Sequence, residues 1–534
     1  MSIHRIVERL RPPRFVSKLV GVGQHVVAES AEGAVVAAAL GAFLASWFVY
    51  NIMVFAPIDV HYDASEATVW AQHFAFGYKH PPMTAWVQGL WFTVFPRRDW
   101  AAYLLAVTTV TVGLAITWRL LRDHLDRYRA LLGLAALIIV PLYTFKAAIF
   151  NANTVLIPFW AATLLFYLRA RRGLGVLDAF LAGAFASLTV LGKYWGLFLV
   201  AGMAVAAVSG PGTRRFWRSP APYVMAAAAA IVIAPHVVWL AIERGGAAYK
   251  FMHGSVVSND SFGTALRTSV HYLLGAAAWV AGPLIFLATL RPSRTALADI
   301  AWPEDDDRRQ VLLLFAVPLA LPALLNLASP YRLTPDWTYP NWALLPIVLF
   351  GTRYITVDAR EVACGGLFAL AVSLLAVIVS PVVADVELMS NRNAYRAHFR
   401  QVAEMAETFA GNPAELLWGS PDIVAGLPFY MQQARPLSAN PSSAKGRTAI
   451  VVHGITVVCT SDAVWCRKKS AAFIKAGART TTATFRRSFL GLSGKPMTFQ
   501  FTVVPRGVWP FDAAGYWSYK TKLSSGTDPA YTGR

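Results

Sequence analysis

Apolar runs of roughly 18 residues or more, the length a helix needs to cross a bilayer, recur through the first 385 positions and alternate with short polar loops. The first runs from about Gly33 to Pro57, the second ends near Leu121, the third near Phe150, and the fourth begins near Thr154. Residues 177–209 form one apolar stretch too long for a single span, with Gly192-Lys193-Tyr194 at its centre. That stretch is expected to form two short helices turning at Lys193. Further spans are expected near 222–242, 266–290, 310–328, 338–355 and 361–383, which brings the total to about eleven transmembrane helices. The fold class expected is a polytopic α-helical membrane protein.

After position 384 the pattern changes. Charged residues become frequent, a helical pattern covers 391–410, and strand-like runs occur at Thr448–Val458 and Met497–Val504. A small soluble α/β domain over 385–534 is expected, of ordinary domain size, ending in a polar, frayed stretch at 515–534. The organisation is then a basic N-terminal segment (1–33), a transmembrane domain (34–384) with an outer loop at 57–99, and the C-terminal domain.

Composition sharpens this. Hydrophobic residues make up 56% and charged residues only 14% of the chain, too little charge for an ordinary soluble protein of this length. A net charge of +19 would suggest nucleic acid in a soluble protein. Here Arg and Lys concentrate in short loops and terminal segments, where they set orientation and meet anionic lipid headgroups, so membrane lipids are expected as partners and nucleic acid is not. Arg5, Arg9, Arg11, Arg14 and Lys18 precede the first span, in a segment broken by Pro12 and Pro13 that reads as a cytoplasmic leader and not as a cleaved signal. The basic clusters after 121, 168, 210, 290 and 352 all fall on that same side when spans are counted. The expected placement is a bacterial inner membrane with the N-terminus cytoplasmic and the C-terminal domain periplasmic. Of three cysteines, Cys364 lies in an apolar span and is expected in the core. Cys459 and Cys466 in the exported domain are a disulfide candidate, and further ligands for a metal pair are missing at the usual spacing.

The outer side collects Asp59, Asp63, Glu66, Asn151, Asn153, Lys193, Glu243, His253 and Asp336. The first outer loop is the most unusual segment, with Asp63-Ala-Ser65-Glu66, Trp70-Ala-Gln72-His73 and Gly77-Tyr78-Lys79-His80-Pro81-Pro82-Met83. A helix along the interface is expected from Ala64 to Phe76. Asp63 suits both its N-cap and a general base, roles that are compatible. Glu66 is expected to orient an acceptor or to be an exposed acid on the helix. Lys193, a charge inside an apolar stretch, suits an anion ligand or a side chain snorkelling to headgroups. Tyr194, Lys79 and His80 suit the same anion, or an interface position for Tyr194 and surface positions ahead of the rigid Pro81-Pro82 turn for Lys79 and His80. Asn151 and Asn153 suit hydrogen bonds to a polar substrate or a helix start. His236 reads as a packed, hydrogen-bonded residue. His253, Asp336, Trp337, Asn341 and Trp342 are substrate-side candidates, with interfacial tryptophan as the competing account.

These motifs resemble glycosyltransferase family 39 of the GT-C superfold, which includes protein O-mannosyltransferases and lipid A aminoarabinose transferases. The resemblance rests on Asp63-Ala-Ser-Glu66-Ala, Gly77-Tyr-Lys-His-Pro81-Pro82-Met83, Phe150-Asn-Ala-Asn153 through Trp160, Leu191-Gly-Lys193-Tyr194, Pro235-His236-Val-Val-Trp239 and Pro340-Asn341-Trp342. It covers about residues 33–355 and is most similar to α-proteobacterial enzymes of envelope polysaccharide or lipopolysaccharide. Three positions depart from the family pattern: Ala64 replaces its Glu, Asn153 replaces a second acid, and His80 replaces the Lys before Pro-Pro, with Lys79 alongside. A divalent metal therefore has weak support, and no metal ligand or other cofactor is assigned.

The resemblance implies a membrane glycosyltransferase that takes a hexosyl, pentosyl or uronosyl group from a polyprenyl-phosphate-linked donor. The acceptor would be an envelope glycan or lipid on the periplasmic face, Asp63 the base, Glu66 its helper and Lys193 the phosphate ligand. A transporter or flippase for lipid-linked glycans, or a non-catalytic assembly factor, is the alternative. One broken helix pair favours transport, whereas polar residues clustered on the outer side favour interfacial chemistry.

Overall fold

The computed structural model describes residues 14–507, apart from 73, 243–245, 247–248, 250–252, 254–255, 259, 391–395, 412–414, 438–440, 442 and 476. Residues 1–13 of the basic segment, Glu243 and the polar stretch 515–534 lie outside the described residues.

Helix α1 (Arg14–Glu29) leads into the apolar helix α2 (Glu32–Val54). The following loop carries α3 (Tyr62–Ala71) and α4 (Met83–Val94), and α5 (Asp99–Arg122) returns through the bundle. Helix α6 (Arg127–Ile138) stops just before Pro141, and a 3₁₀ turn at Lys146–Ala148 leads towards α7 (Leu156–Gly173). Then come α8 (Val176–Gly192), α9 (Gly196–Ala207) and α10 (Ala221–Ile242). Helices α11 (Phe262–Trp279) and α12 (Ala281–Thr289) meet at 54°. Helices α13 (Asp306–Ala328) and α14 (Ala359–Met389) complete the helical part.

This is a multi-pass membrane architecture. Five described helices, α2, α5, α10, α13 and α14, are long and apolar enough to cross a bilayer, and the bent pair α11–α12 makes a sixth. The other expected crossings fall on shorter helices. The apolar stretch 338–355 is not a continuous helix but a 3₁₀ helix at Pro335–Leu344 followed by one α-helical stretch at Leu345–Phe350. Pro335, Pro340 and Pro346 each lack the N–H that a helix ladder needs.

The break between α8 and α9 lies at Lys193, whose extended backbone (φ −163°, ψ 141°) ends α8. A β-carbon on Gly196 would stand 2.8 Å from the Val190 nitrogen, so the chain can fold back this tightly only with glycine there. Close approach also governs α8 against α10. A β-carbon on Gly183 would meet the Met225 carbonyl oxygen at 2.0 Å, and backbone contact of this kind is how small residues join membrane helices. Gly183→Val is therefore expected to lower stability by about 1–3 kcal/mol, the usual cost of overpacking. Thermal unfolding of the purified protein in detergent checks this; an unchanged midpoint would contradict the packing.

The basic loops meet at one end of the bundle. Arg122 pairs with Glu32 at 2.7 Å, Arg169 with Asp123 at 2.5 Å, Arg172 with Asp307 at 2.9 Å and Arg353 with Glu304 at 2.7 Å. The α3 loop, the Lys193 break and the C-terminal unit lie towards the opposite end.

In that C-terminal unit, α15 (Phe399–Ala410) buries Phe399, Val402, Ala403, Ala406 and Ala410, the spacing of one helix face. That face packs on Leu417, Phe499 and Phe501 of a five-stranded sheet. The strands are β1 (Leu416–Gly419), β2 (Arg435–Pro436), β3 (Ile455–Thr460), β4 (Arg479–Phe485) and, after the small hairpin of β5 (Ser488–Phe489) and β6 (Leu492–Ser493), β7 (Met497–Val504). Their order is β2-β1-β3-β7-β4, parallel through β2, β1 and β3 and antiparallel beyond. The run Thr448–Val458 corrects the strand expectation. Its first part is in helix α16 (Ala444–His453), capped by the Ser443 side chain and stopped at Gly454 (φ 67°). Helix α17 (Val464–Lys475) carries Cys466, which is disulfide-linked to Cys459 of β3 with Cα atoms 5.6 Å apart. Cys364 also differs from expectation, because it faces outward from α14.

Candidate active site

Helix α3 sets the site. Its N-cap is His61, whose Nδ1 accepts the Asp63 backbone N–H at 3.2 Å. With the cap supplied by His61, the Asp63 carboxylate is left free to interact elsewhere: Oδ2 accepts the Asn151 side-chain N–H at 3.3 Å. Burial pushes the His61 imidazole down to about 4, against the opposing pull of Asp63, so His61 is neutral at pH 7 and remains an acceptor. Ala64, Ala67 and Thr68 face inward, and Gln88 of α4 donates to the Ala64 carbonyl and the Thr68 hydroxyl, each at 2.6 Å.

Asn151 and Asn153 link α3 to the helix break. The Asn151 side-chain oxygen accepts the Asn153 backbone N–H at 2.9 Å, and the Asn153 side-chain oxygen accepts a hydrogen bond from Lys193 Nζ at 2.8 Å. Lys193 Nζ also lies 4.3 Å from the centre of the Trp337 ring, a cation–π distance. Asp63, Asn151, Asn153, Lys193 and Trp337 therefore form one connected group, although they come from four separate stretches of sequence.

A second group flanks it. Glu66, one turn along α3, pairs with Lys79 at 2.5 Å. Burial holds the Glu66 carboxyl above its ordinary 4.5, opposed by Lys79. His80 is pushed down to about 3, first by burial and then by Lys79 and Lys193. His80 is thus a neutral hydrogen-bonding group at pH 7, and burial pushes the Lys193 ammonium down to about 7, opposed by Asp63. Trp70 and Tyr78 stack with centres 4.7 Å apart. His236 is 2% exposed, with Nδ1 2.6 Å from the Phe76 carbonyl and Nε2 3.0 Å from the Tyr194 hydroxyl. It ties the loop to the Lys193 turn. Gly77 fits only because it is small, since a β-carbon there would lie 2.5 Å from the Trp239 ring.

The sign of the Glu66 shift gives a pH prediction. A raised carboxyl takes up its proton at a higher pH than an ordinary glutamate, and protonation ends the pair with Lys79. The activity of the site is expected to fall on acidification with an inflection above 4.5, and Glu66→Gln is expected to remove that limb. A pH–rate profile of the two proteins checks this; identical acid limbs would contradict it.

The remaining candidates divide. Asp336 accepts a hydrogen bond from Lys146 Nζ at 2.9 Å. Trp342 (1% exposed) and Asn341 (2%) are buried, with Trp342 against Phe315 at 6.0 Å. Of the two tryptophan candidates only Trp337 lies beside Lys193, because Trp342 is packed into the core. His253 is exposed with its ring 4.1 Å from Tyr249, and among the described residues no contact joins it to Asp63 or Lys193. Among the described residues no three His, Cys, Asp or Glu side chains gather as a metal-binding group. Lys146 was not singled out in the sequence, where it is one more loop lysine. The partners of Asp59, namely Arg396, Arg400 and Arg487, were also missed, because they lie more than 300 positions away.

With the geometry in hand, the relatives are informative. Residues 79–239 match the family model described as dolichyl-phosphate-mannose-protein mannosyltransferase. The chain is 27% identical over 310 residues to a lipid A galacturonosyltransferase of Rhizobium johnstonii, an alignment spanning 54% of this chain and 59% of that protein. The chain thus spans less than two thirds of that relative. The fold is shared with ArnT of Cupriavidus metallidurans. The structure of that protein bound to undecaprenyl phosphate superposes with a TM-score of 0.55 at 15% identity, and its apo structure with 0.57 at 14%. Each covers 88% of this chain and 98% of the other. The resemblance to glycosyltransferase family 39 is borne out, and the chain has a GT-C-type fold.

Proposed function

We propose that the protein is a membrane glycosyltransferase that moves a sugar from a polyprenyl-phosphate-linked donor to an envelope glycan or lipid at the periplasmic face of the inner membrane. The observation that carries this reading is the bridge from Asp63 through Asn151 and Asn153 to Lys193. It puts a carboxylate and a cation into one group, beside a helix break. In the transfer, Asp63 takes the acceptor hydroxyl proton as the acceptor oxygen bonds to the anomeric carbon. The bond from that carbon to the phosphate oxygen breaks through an oxocarbenium-like state. Lys193 stabilises the charge gained by the departing polyprenyl phosphate, while Lys79 is paired with Glu66.

Asn153 makes physical sense in this scheme. A neutral amide orients Lys193 without cancelling its charge, so the cation stays available to the phosphate. No step requires a metal. Trp337 offers a ring face to the sugar. Similarity to a lipid A galacturonosyltransferase supports a uronic acid as the transferred group and a lipid A-type acceptor as the finer reading. The basic end of the bundle supports a cytoplasmic 1–33 segment and a periplasmic 385–534 segment. Purified protein incubated with undecaprenyl-phosphate galacturonate and lipid A tests the finer reading by mass spectrometry. A lipid A product heavier by one uronosyl residue is expected. Acceptance of a neutral hexose donor in preference to the uronate would contradict it.

A further inference from the structure

The mechanism leaves Asp59 unused, yet it is the most completely buried carboxylate of the outer loop, at 0% exposure. Every polar group it offers is met by the C-terminal unit. Its Oδ1 accepts from Arg487 at 2.8 Å, its Oδ2 accepts the Arg400 backbone N–H at 2.9 Å, and the Arg400 guanidinium lies 3.8 Å away. Its backbone N–H donates to the Arg396 carbonyl at 2.9 Å, and its own carbonyl accepts from Arg396 Nε at 2.5 Å. Arg396 lies over the Phe55 ring at 4.4 Å, and Arg400 also pairs with Asp99 at the start of α5. One residue on, the Val60 N–H donates to the Tyr430 hydroxyl at 2.8 Å.

The attachment continues into α3. Ser65, two residues after Asp63 and fully buried, donates to the Gly426 carbonyl and accepts the Phe429 N–H, both at 2.9 Å. Gln72 at the far end of α3 donates to the Gln432 carbonyl at 2.9 Å. The segment that carries Asp63 is therefore held on both sides of that residue by the C-terminal unit, whereas Asp63 itself points the other way, to Asn151 of the helical part. A buried carboxylate enclosed by two guanidiniums and a backbone N–H fixes geometry, because any displacement leaves charge uncompensated.

From this arrangement we infer that Asp59 is a positioning residue. It locks the C-terminal unit onto the outer loop and thereby sets where α3 presents Asp63. The C-terminal unit is then a part of the active site that touches no reacting atom. The inference rests on the proposed role of Asp63.

Two variants test it in the full-length protein in lipid nanodiscs. Asp59→Asn keeps the shape and removes the charge. Ser65→Ala cuts the second attachment without placing an unpaired charge in the interior, and so carries the test where Asp59→Asn does not fold. Turnover is measured with the lipid-linked sugar fraction of host membranes, binding with undecaprenyl phosphate alone, and local opening by hydrogen exchange. Both variants are expected to lose at least about tenfold in kcat, towards the roughly 100-fold that a 1 Å misplacement costs. Undecaprenyl phosphate affinity is expected to stay within about twofold, because Lys193 and Asn153 belong to the helical part. Faster exchange is expected in peptides spanning 59–72 and 423–431 only. An unchanged kcat, an affinity loss as large as the kcat loss, or faster exchange throughout the helical part would each overturn the inference. Asp63→Asn run in parallel separates this from the base assignment: full activity there defeats the base, while the exchange data still report on Asp59.

Discussion

Asp63→Asn is expected to lower the rate of sugar transfer by about 10²–10⁴, the contribution of a positioned general base, while the protein still binds undecaprenyl phosphate. The substitution is close to isosteric. The helix cap does not depend on the carboxylate, because His61 Nδ1 supplies it by accepting the Asp63 backbone N–H. The Asn151 side chain keeps a partner too, since an asparagine oxygen accepts its N–H as a carboxylate oxygen does. What is lost is the ability to take a proton. Rates at saturating donor, together with undecaprenyl phosphate affinity, check the prediction. A rate within a few-fold of wild type contradicts it, and so does a loss confined to donor affinity.

The second large effect is expected at Lys193, with the opposite split. Lys193→Met keeps the length of the side chain and removes the cation, leaving the Asn153 oxygen without its 2.8 Å donor. Removing one partner of a buried charged contact costs about 2 kcal/mol or more, or roughly 30-fold in undecaprenyl phosphate affinity. Asn153→Asp should weaken the same affinity by a different route, because a carboxylate at that position would neutralise Lys193. If both variants bind undecaprenyl phosphate as wild type does, Lys193 is not the phosphate ligand, and snorkelling to the headgroups accounts for it.

The sequence disclosed some of this architecture and hid the rest for identifiable reasons. Apolar runs and basic loops are long-range regularities imposed by the bilayer, so the helical plan and the common end of the basic residues were legible. Lys193 was legible because a charge is conspicuous inside an apolar stretch, and the chain does break there. The prolines at 335, 340 and 346 stood in view, yet hydrophobicity alone suggested a straight span where a 3₁₀ helix forms. Thr448–Val458 is rich in β-branched residues, but a cap at Ser443 and a stop at Gly454 make its first half helical. Trp342 and Trp337 look alike in sequence, since aromatic residues serve membrane interfaces and cores equally well. Only packing separates the buried ring from the one beside Lys193. The Asp59 network was out of reach of local reading, because its arginines lie in segments that meet the outer loop only after folding.

The proposed transfer is tested most directly by following its donor. In a strain lacking this protein, mass spectrometry of membrane lipids and envelope glycans compares complementation by wild type with complementation by Asp63→Asn. The account predicts that wild type restores a missing glycan sugar and depletes one polyprenyl-phosphate sugar, while the Asp63→Asn protein, present at equal abundance, lets that lipid accumulate. Full restoration of the glycan by Asp63→Asn, with no lipid-linked sugar accumulating, would contradict it.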